Sequence, residues 1–77
     1  MILEETIEKH ALSNALKYNG KANPGAVISK VIGEHPETKN DMKNVSQKVQ
    51  ETIKKINALG VEKQEKELRE KYPEMLE

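Results

Sequence analysis

An all-α module of four short helices is the fold this chain predicts, and three observations carry it. Apolar residues recur at spacings of three and four along most of the length. Glycine, asparagine and proline stand between the periodic stretches, where helix ends call for them. No run alternates apolar and polar residues as a strand would. Seventy-seven residues leave room for one domain, and a chain of that size buries only about 60% of its unfolded surface. Phe, Trp and Cys are absent, so the core must come from Ile, Leu, Val, Met and Ala, with Tyr18 and Tyr72 as the only rings. Leu, Ile and Val total 17 residues and the net charge is zero, which keeps the composition on the folded side of disorder.

The first helix is expected over residues 3–18. Leu3, Ile7, Ala11, Ala15 and Tyr18 form its stripe, widened by Leu12 and Leu16. Glu4, Glu5 and Glu8 near its start and Lys17 near its end suit the macrodipole. Gly20 is placed to close it in the left-handed conformation. The second helix is expected over 24–32, with Asn23 as its cap and Pro24 at its first position. Ala26, Val27, Ile28, Val31 and Ile32 cover most of its circumference. It should therefore be buried on most sides, packed between the first and third helices, with Gly33 ending it. The third helix spans 36–59. His35 precedes a proline and should be extended. Thr38 and Asp41 have capping-box spacing. The regular helix is thus expected from Thr38, with residues 36–37 as a separate turn. Met42, Val45, Val49, Ile53, Ile56 and Leu59 form its stripe. The fourth helix, 62–71, has a thin apolar face of Val61, Leu68 and Tyr72. Glu62–Lys66, Glu65–Arg69 and Glu67–Lys71 are i,i+4 pairs, each worth about 0.2–0.5 kcal/mol. This helix should lie solvated at the edge, stopped by Pro73. The closing residues EMLE find no expected partner and read as the start of a continuing segment.

Several chemistries are excluded. Without cysteine there is neither a disulfide framework nor a thiolate. His10 and His35 share no i,i+4 face, so no metal site is expected. Ser13, Ser29 and Ser46 sit in no nucleophile elbow. A chain this small and aliphatic should not enclose a substrate pocket of about 300 Å3 or more. No apolar run approaches the ~20 residues of a membrane span. The acidic start lacks a signal-peptide pattern, and the expected location is cytoplasmic. A helix–turn–helix reader of DNA fails because the second helix offers little beyond Ser29 and Lys30 to base edges.

The joint NGKANPGAVISKVIG, residues 19–33, remains. Residues 9–33 carry four lysines and no acid, whereas 62–77 carry six Glu against three Lys and one Arg. A helix N-terminus flanked by lysines suits a phosphate. Lys17, Lys21 and the free N–H groups near Gly25 are thus candidates to touch RNA backbone. Spacing alone also fits plain helix punctuation, which is common.

The run KHALSNALKYNGKANPGAVISKVIGEHPE, residues 9–37, resembles the N-terminal region of archaeal-type glutamyl-tRNA synthetases. Ile56-Asn57-Ala58-Leu59, Gln64, Leu68 and Lys71-Tyr72-Pro73-Glu74 continue the likeness over nearly the whole chain. The GKANP element also resembles the tail of the B subunit of tRNA-dependent amidotransferases and the N-terminal domain of glutaminyl-tRNA synthetases. Gly60 departs from the family, where a Ser often caps the next helix. The resemblance implies a parent that activates glutamate with ATP and Mg and loads it onto the glutamate tRNA. In archaea such enzymes are usually non-discriminating and charge the glutamine tRNA as well. The HIGH-like and KMSKS-like motifs of the class I catalytic domain are absent. Residues 1–77 would be the appended helical N-terminal domain, without the catalytic and anticodon-binding domains, unable to form glutamyl-tRNA alone. The expected RNA contacts are Lys17, Lys21 and Lys30, with His10 and Asn14 beside them. Asn23, Pro24 and Gly25 would shape the helix terminus that accepts a phosphate. The rival expectation is a protein-docking module whose partner is another synthetase, the amidotransferase or the parent catalytic domain, engaged through the fourth helix, Met75 and Leu76.

Overall fold

A computed structural model describes residues 3–76. Four α-helices follow one another: α1 Leu3–Lys17, α2 Pro24–Glu34, α3 Met42–Asn57 and α4 Val61–Lys71. Short 3₁₀ turns, Pro36–Asp41 and Pro73–Leu76, follow α2 and α4. No strand occurs among the described residues. The predicted stripes meet in one core: Ile7, Ala11, Leu12 and Ala15 from α1, Val27 and Val31 from α2, Val45, Val49, Ile53 and Ile56 from α3, and Leu68 from α4.

The hub is α1, which packs against all three other helices. Its Ala11 and Ala15 are fully buried, and small side chains on a contact face let neighbouring helices approach closely. The sequence places α2 at the centre instead. α2 does touch both α1 and α3, but only Val27 and Val31 are wholly buried, while Ala26, Ile28 and Ile32 are half-buried. The molecule is 16 Å across its thinnest dimension. No helix in so thin a body is surrounded on all sides.

Helix ends differ from expectation in instructive ways. Asn19, not Gly20, takes the left-handed cap at φ 58°, and Gly20 follows at φ 94°. The Gly20 N–H donates to the Ala15 carbonyl at 2.6 Å, closing a Schellman-type end. Gly20 is required for another reason as well, because a Cβ there would lie 3.0 Å from Val61 Cγ2. α2 runs through Gly33, whose surroundings are open, and stops at Glu34 because Pro36 holds His35 at φ −132°, ψ 76°. The capping box at Thr38 does not form. Its hydroxyl and its N–H both donate to the His35 carbonyl, at 2.7 and 2.9 Å, and α3 begins only at Met42.

α4 is more than an ion-paired edge. The Glu65–Arg69 and Glu67–Lys71 pairs form, the latter at 3.5 Å, but Glu62–Lys66 is not among the ion pairs of the described residues. Val61 is 45% exposed, so Leu68 anchors the face with Gln64, which is fully buried. Lys71 Nζ reaches Glu8 of α1 at 3.4 Å, and the Tyr72 hydroxyl donates to the same carboxylate at 3.1 Å. The tail, expected to be partnerless, seats Met75 against the core. Leu76 stays about half-exposed, and Glu77 lies outside the described residues.

Candidate nucleic-acid interface

The second half of α1 and the first half of α2 border an open groove of about 320 Å3. His10, Ser13, Asn14, Lys17 and Tyr18 line one wall, Ala26, Val27 and Lys30 the other, and Met75 closes one side. Four of the five expected RNA contacts are thereby brought together. Lys21 sits on the connecting turn, outside the lining.

The five side chains are not equally free. Lys17, Lys21 and Lys30 are exposed, and none is paired with a carboxylate among the described residues. Lys17 Nζ lies 5.9 Å from the centroid of the Tyr18 ring, within cation–π reach. His10 is bonded to Glu34, which also takes Lys9 at 3.4 Å. The acid-free stretch of sequence is therefore not acid-free in space. The carboxylate that follows it folds back and neutralises its first members. The His10 hydrogen bond holds the Glu34 carboxyl below its usual range. Asn14 is likewise committed, its Oδ1 accepting the Asn23 N–H at 2.6 Å.

The helix terminus offers less than expected. Asn23 caps α2 through Oδ1, which accepts the Ala26 N–H at 3.2 Å, and the Val27 N–H donates to the Asn23 carbonyl. Pro24 has no N–H. Of the first-turn amides, only that of Gly25 has no bond among the described residues. Asn23, Pro24 and Gly25 are all exposed, so this one amide faces solvent-accessible space, in place of the several bare amides anticipated.

Three side-chain clamps hold the turn that displays Lys21. Gln64 Nε2 donates to the Gly20 carbonyl at 2.9 Å and to the Ile56 carbonyl at 2.8 Å. Asn57 Oδ1 accepts the Ala22 N–H at 2.9 Å, and Asn14 accepts the Asn23 N–H. Sequence reasoning gave Gln64 and Asn57 no such role. The available signal was position: Val61, Gln64, Leu68 and Tyr72 share one face of α4, and a glutamine inside an apolar stripe needs buried backbone partners.

A second concavity, about 760 Å3, is bordered by Glu5, Thr6, Lys9, His35, Lys71, Tyr72 and Glu74. It exceeds the volume expected of this chain, as an open trough of mixed charge. His35 Nε2 lies 3.0 Å from Thr6 Oγ1 there. Burial, then the Glu8 charge, pushes the Tyr72 hydroxyl up to about 12. Among the described residues no three His, Asp or Glu side chains converge as a metal would need, and no helix is long and apolar enough to cross a membrane.

No protein-family model matches the chain, and neither does any solved structure. Its similarity to curated proteins is extensive. It is 48% identical over 77 residues to the glutamate–tRNA ligase of Metallosphaera sedula, 46% over 77 residues to that of Thermococcus onnurineus, and 43% over 75 residues to that of Sulfurisphaera tokodaii. These alignments cover 97–100% of this chain and 13% of each relative. The chain thus spans about an eighth of the length of the relatives it matches. By sequence it is similar, over its whole length, to one segment of archaeal glutamate–tRNA ligases.

Proposed function

We propose that this chain is the N-terminal helical domain of a glutamate–tRNA ligase, and that its α1–α2 corner holds tRNA by the backbone. One observation carries the reading: Lys17 and Lys30 stand exposed on one groove with Lys21 exposed on the adjoining turn, and none is paired with a carboxylate among the described residues. With a net charge of zero, the molecule as a whole does not attract a polyanion. A local group of unpaired cations does. Contacts of this kind position an RNA without reading its sequence. Catalysis would belong to a class I domain outside these residues, which would supply the sites for ATP and Mg. Among the described residues no acidic cluster stands ready to hold Mg. Alone, the chain would not form glutamyl-tRNA. Its setting would be the cytoplasm, and its RNA the glutamate tRNA and, in a non-discriminating enzyme, the glutamine tRNA.

The test is a titration of the 77-residue chain with tRNA at rising salt. Three phosphates neutralised predict a log–log slope of about −2 to −3. Combined Lys17→Glu, Lys21→Glu and Lys30→Glu should lower affinity at least about tenfold with an unchanged helical spectrum, since all three are exposed and none is ion-paired among the described residues. Equal affinity for the variant would reject the reading. The docking alternative has its own observation, the exposure of Val61 and Leu76 at 45% and 48%. It predicts no salt-sensitive RNA binding at all. It also predicts capture of a synthetase, an amidotransferase or the catalytic domain that is lost in Val61→Asp/Leu76→Asp.

A further inference from the structure

Tyr18 does not do what its place in the apolar stripe predicts. It should end the buried face of α1, yet the chain leaves the helix there and the ring is 52% exposed. The two tyrosines differ in their partners as well. The Tyr72 hydroxyl is engaged by Glu8, whereas that of Tyr18 has no hydrogen bond among the described residues. Tyr18 lines the same groove as Lys17 and Lys30, and Lys17 Nζ lies 5.9 Å from its ring centroid. Small side chains, Ser13 on one wall and Ala26 on the other, are among its lining. Its volume of about 320 Å3 is at the low end of pockets for small molecules, ~300–1,000 Å3. That is room for one flat ring system.

From this we infer that Tyr18 is a stacking platform for an unpaired base, so that the corner takes a single-stranded or loop segment of RNA in preference to duplex. The inference rests on the RNA reading of the same corner and adds the class of RNA element. In an A-form duplex the bases are stacked on one another and a lone surface ring has nothing to engage. In loops and single strands the bases splay out and stack on exposed aromatic rings, while neighbouring cations follow the backbone. An exposed ring flanked by Lys17 and Lys30 combines the two elements of such a site. Because every base has a π-face, recognition here is tolerant of sequence.

The chain has two tyrosines and no tryptophan, so stacking has a direct optical readout. In a Tyr72→Phe background, Tyr18 is the only strong fluorophore. Its emission should be quenched by a short uridine oligonucleotide and much less by an RNA hairpin stem of matched length. Tyr18→Ala should weaken oligonucleotide binding about tenfold and stem binding by less than about twofold. Tyr18→Phe, which keeps the ring, should bind as the parent does. The fold is not at stake, because the side chain is exposed. If Tyr18→Ala binds the oligonucleotide as well as the parent while Lys17→Glu/Lys30→Glu does not, stacking is overturned and backbone binding stands. Equal losses on oligonucleotide and stem overturn it too. If the unmodified chain binds neither RNA, both readings fall.

Discussion

Gln64 is fully buried, and its amide bridges two carbonyls from different elements, Gly20 of the lysine turn and Ile56 near the end of α3. Its Oε1 is buried without a partner among the described residues, so the side chain is kept for its donors. Gln64→Ala leaves a cavity and strands two acceptors, and should destabilise the chain by about 2–4 kcal/mol in urea unfolding. Gln64→Leu restores volume but not donors, and should lie between the two. In both variants the Ala22 and Asn23 amides should exchange faster, because the turn loses its clamp. Glu34 offers a pH test. Its carboxyl is held below the ordinary 4.5, first by the His10 hydrogen bond. A carboxyl whose pKa is depressed by folding adds stability that is complete above the unfolded pKa and is lost as pH falls through the folded one. Acid unfolding below pH 4.5 should therefore gain a contribution that Glu34→Gln lacks. The carboxylate is 42% exposed, so that contribution should be about 0.2–1 kcal/mol.

At the scale of elements, helix starts are where local chemistry and tertiary demand meet. α2 begins as its sequence says, with the Asn23 side chain on the Ala26 N–H. Asn23→Ala should cost about 1 kcal/mol, and thermal melting should read it as a shift of about 4–8 °C for a domain of this size. α4 begins without a side-chain cap, on Gly60 at φ 85°, ψ 161°. That region of backbone space is essentially reserved for glycine. A Cβ at Gly60 meets nothing within 4 Å, so Gly60→Ala isolates the conformational cost, expected at about 1–3 kcal/mol. A serine here would bring a capping oxygen together with a strained backbone. The α1 and α3 stripes were legible because their apolar spacing is regular over four turns. The ends were not. Gly33 reads as a stop and is helical, and Thr38 reads as a cap but turns its hydroxyl onto the His35 carbonyl.

For the whole molecule, a 77-residue chain with no disulfide has a stability of only about 4–12 kcal/mol. Leu68 is the one wholly buried apolar side chain that α4 adds to the core. Leu68→Ala should remove about 2–5 kcal/mol, a large share of the total, and chemical denaturation of the purified chain measures it directly. Removing residues 61–77 goes further. It strips α1 of its contact with α4 and frees the Gly20 carbonyl. The truncated chain should lose cooperative unfolding, and RNA binding should fall with it. α4 thus acts on the candidate interface by holding its turn, without lining its groove.

Periodicity and helix punctuation were enough to read four helices, an aliphatic core and a lysine-bearing joint, because these depend on near neighbours along the chain. The kinship to glutamate–tRNA ligases was legible in the residue 9–37 motif for the same local reason. What the joint presents depended on contacts across the chain. Glu34 reaches back 24 residues to His10, Gln64 reaches 44 residues to the Gly20 carbonyl, and Tyr18 is left outside the core it was expected to join. Charge pairing, burial and exposure are set by which surfaces meet, and that is decided only when the helices pack.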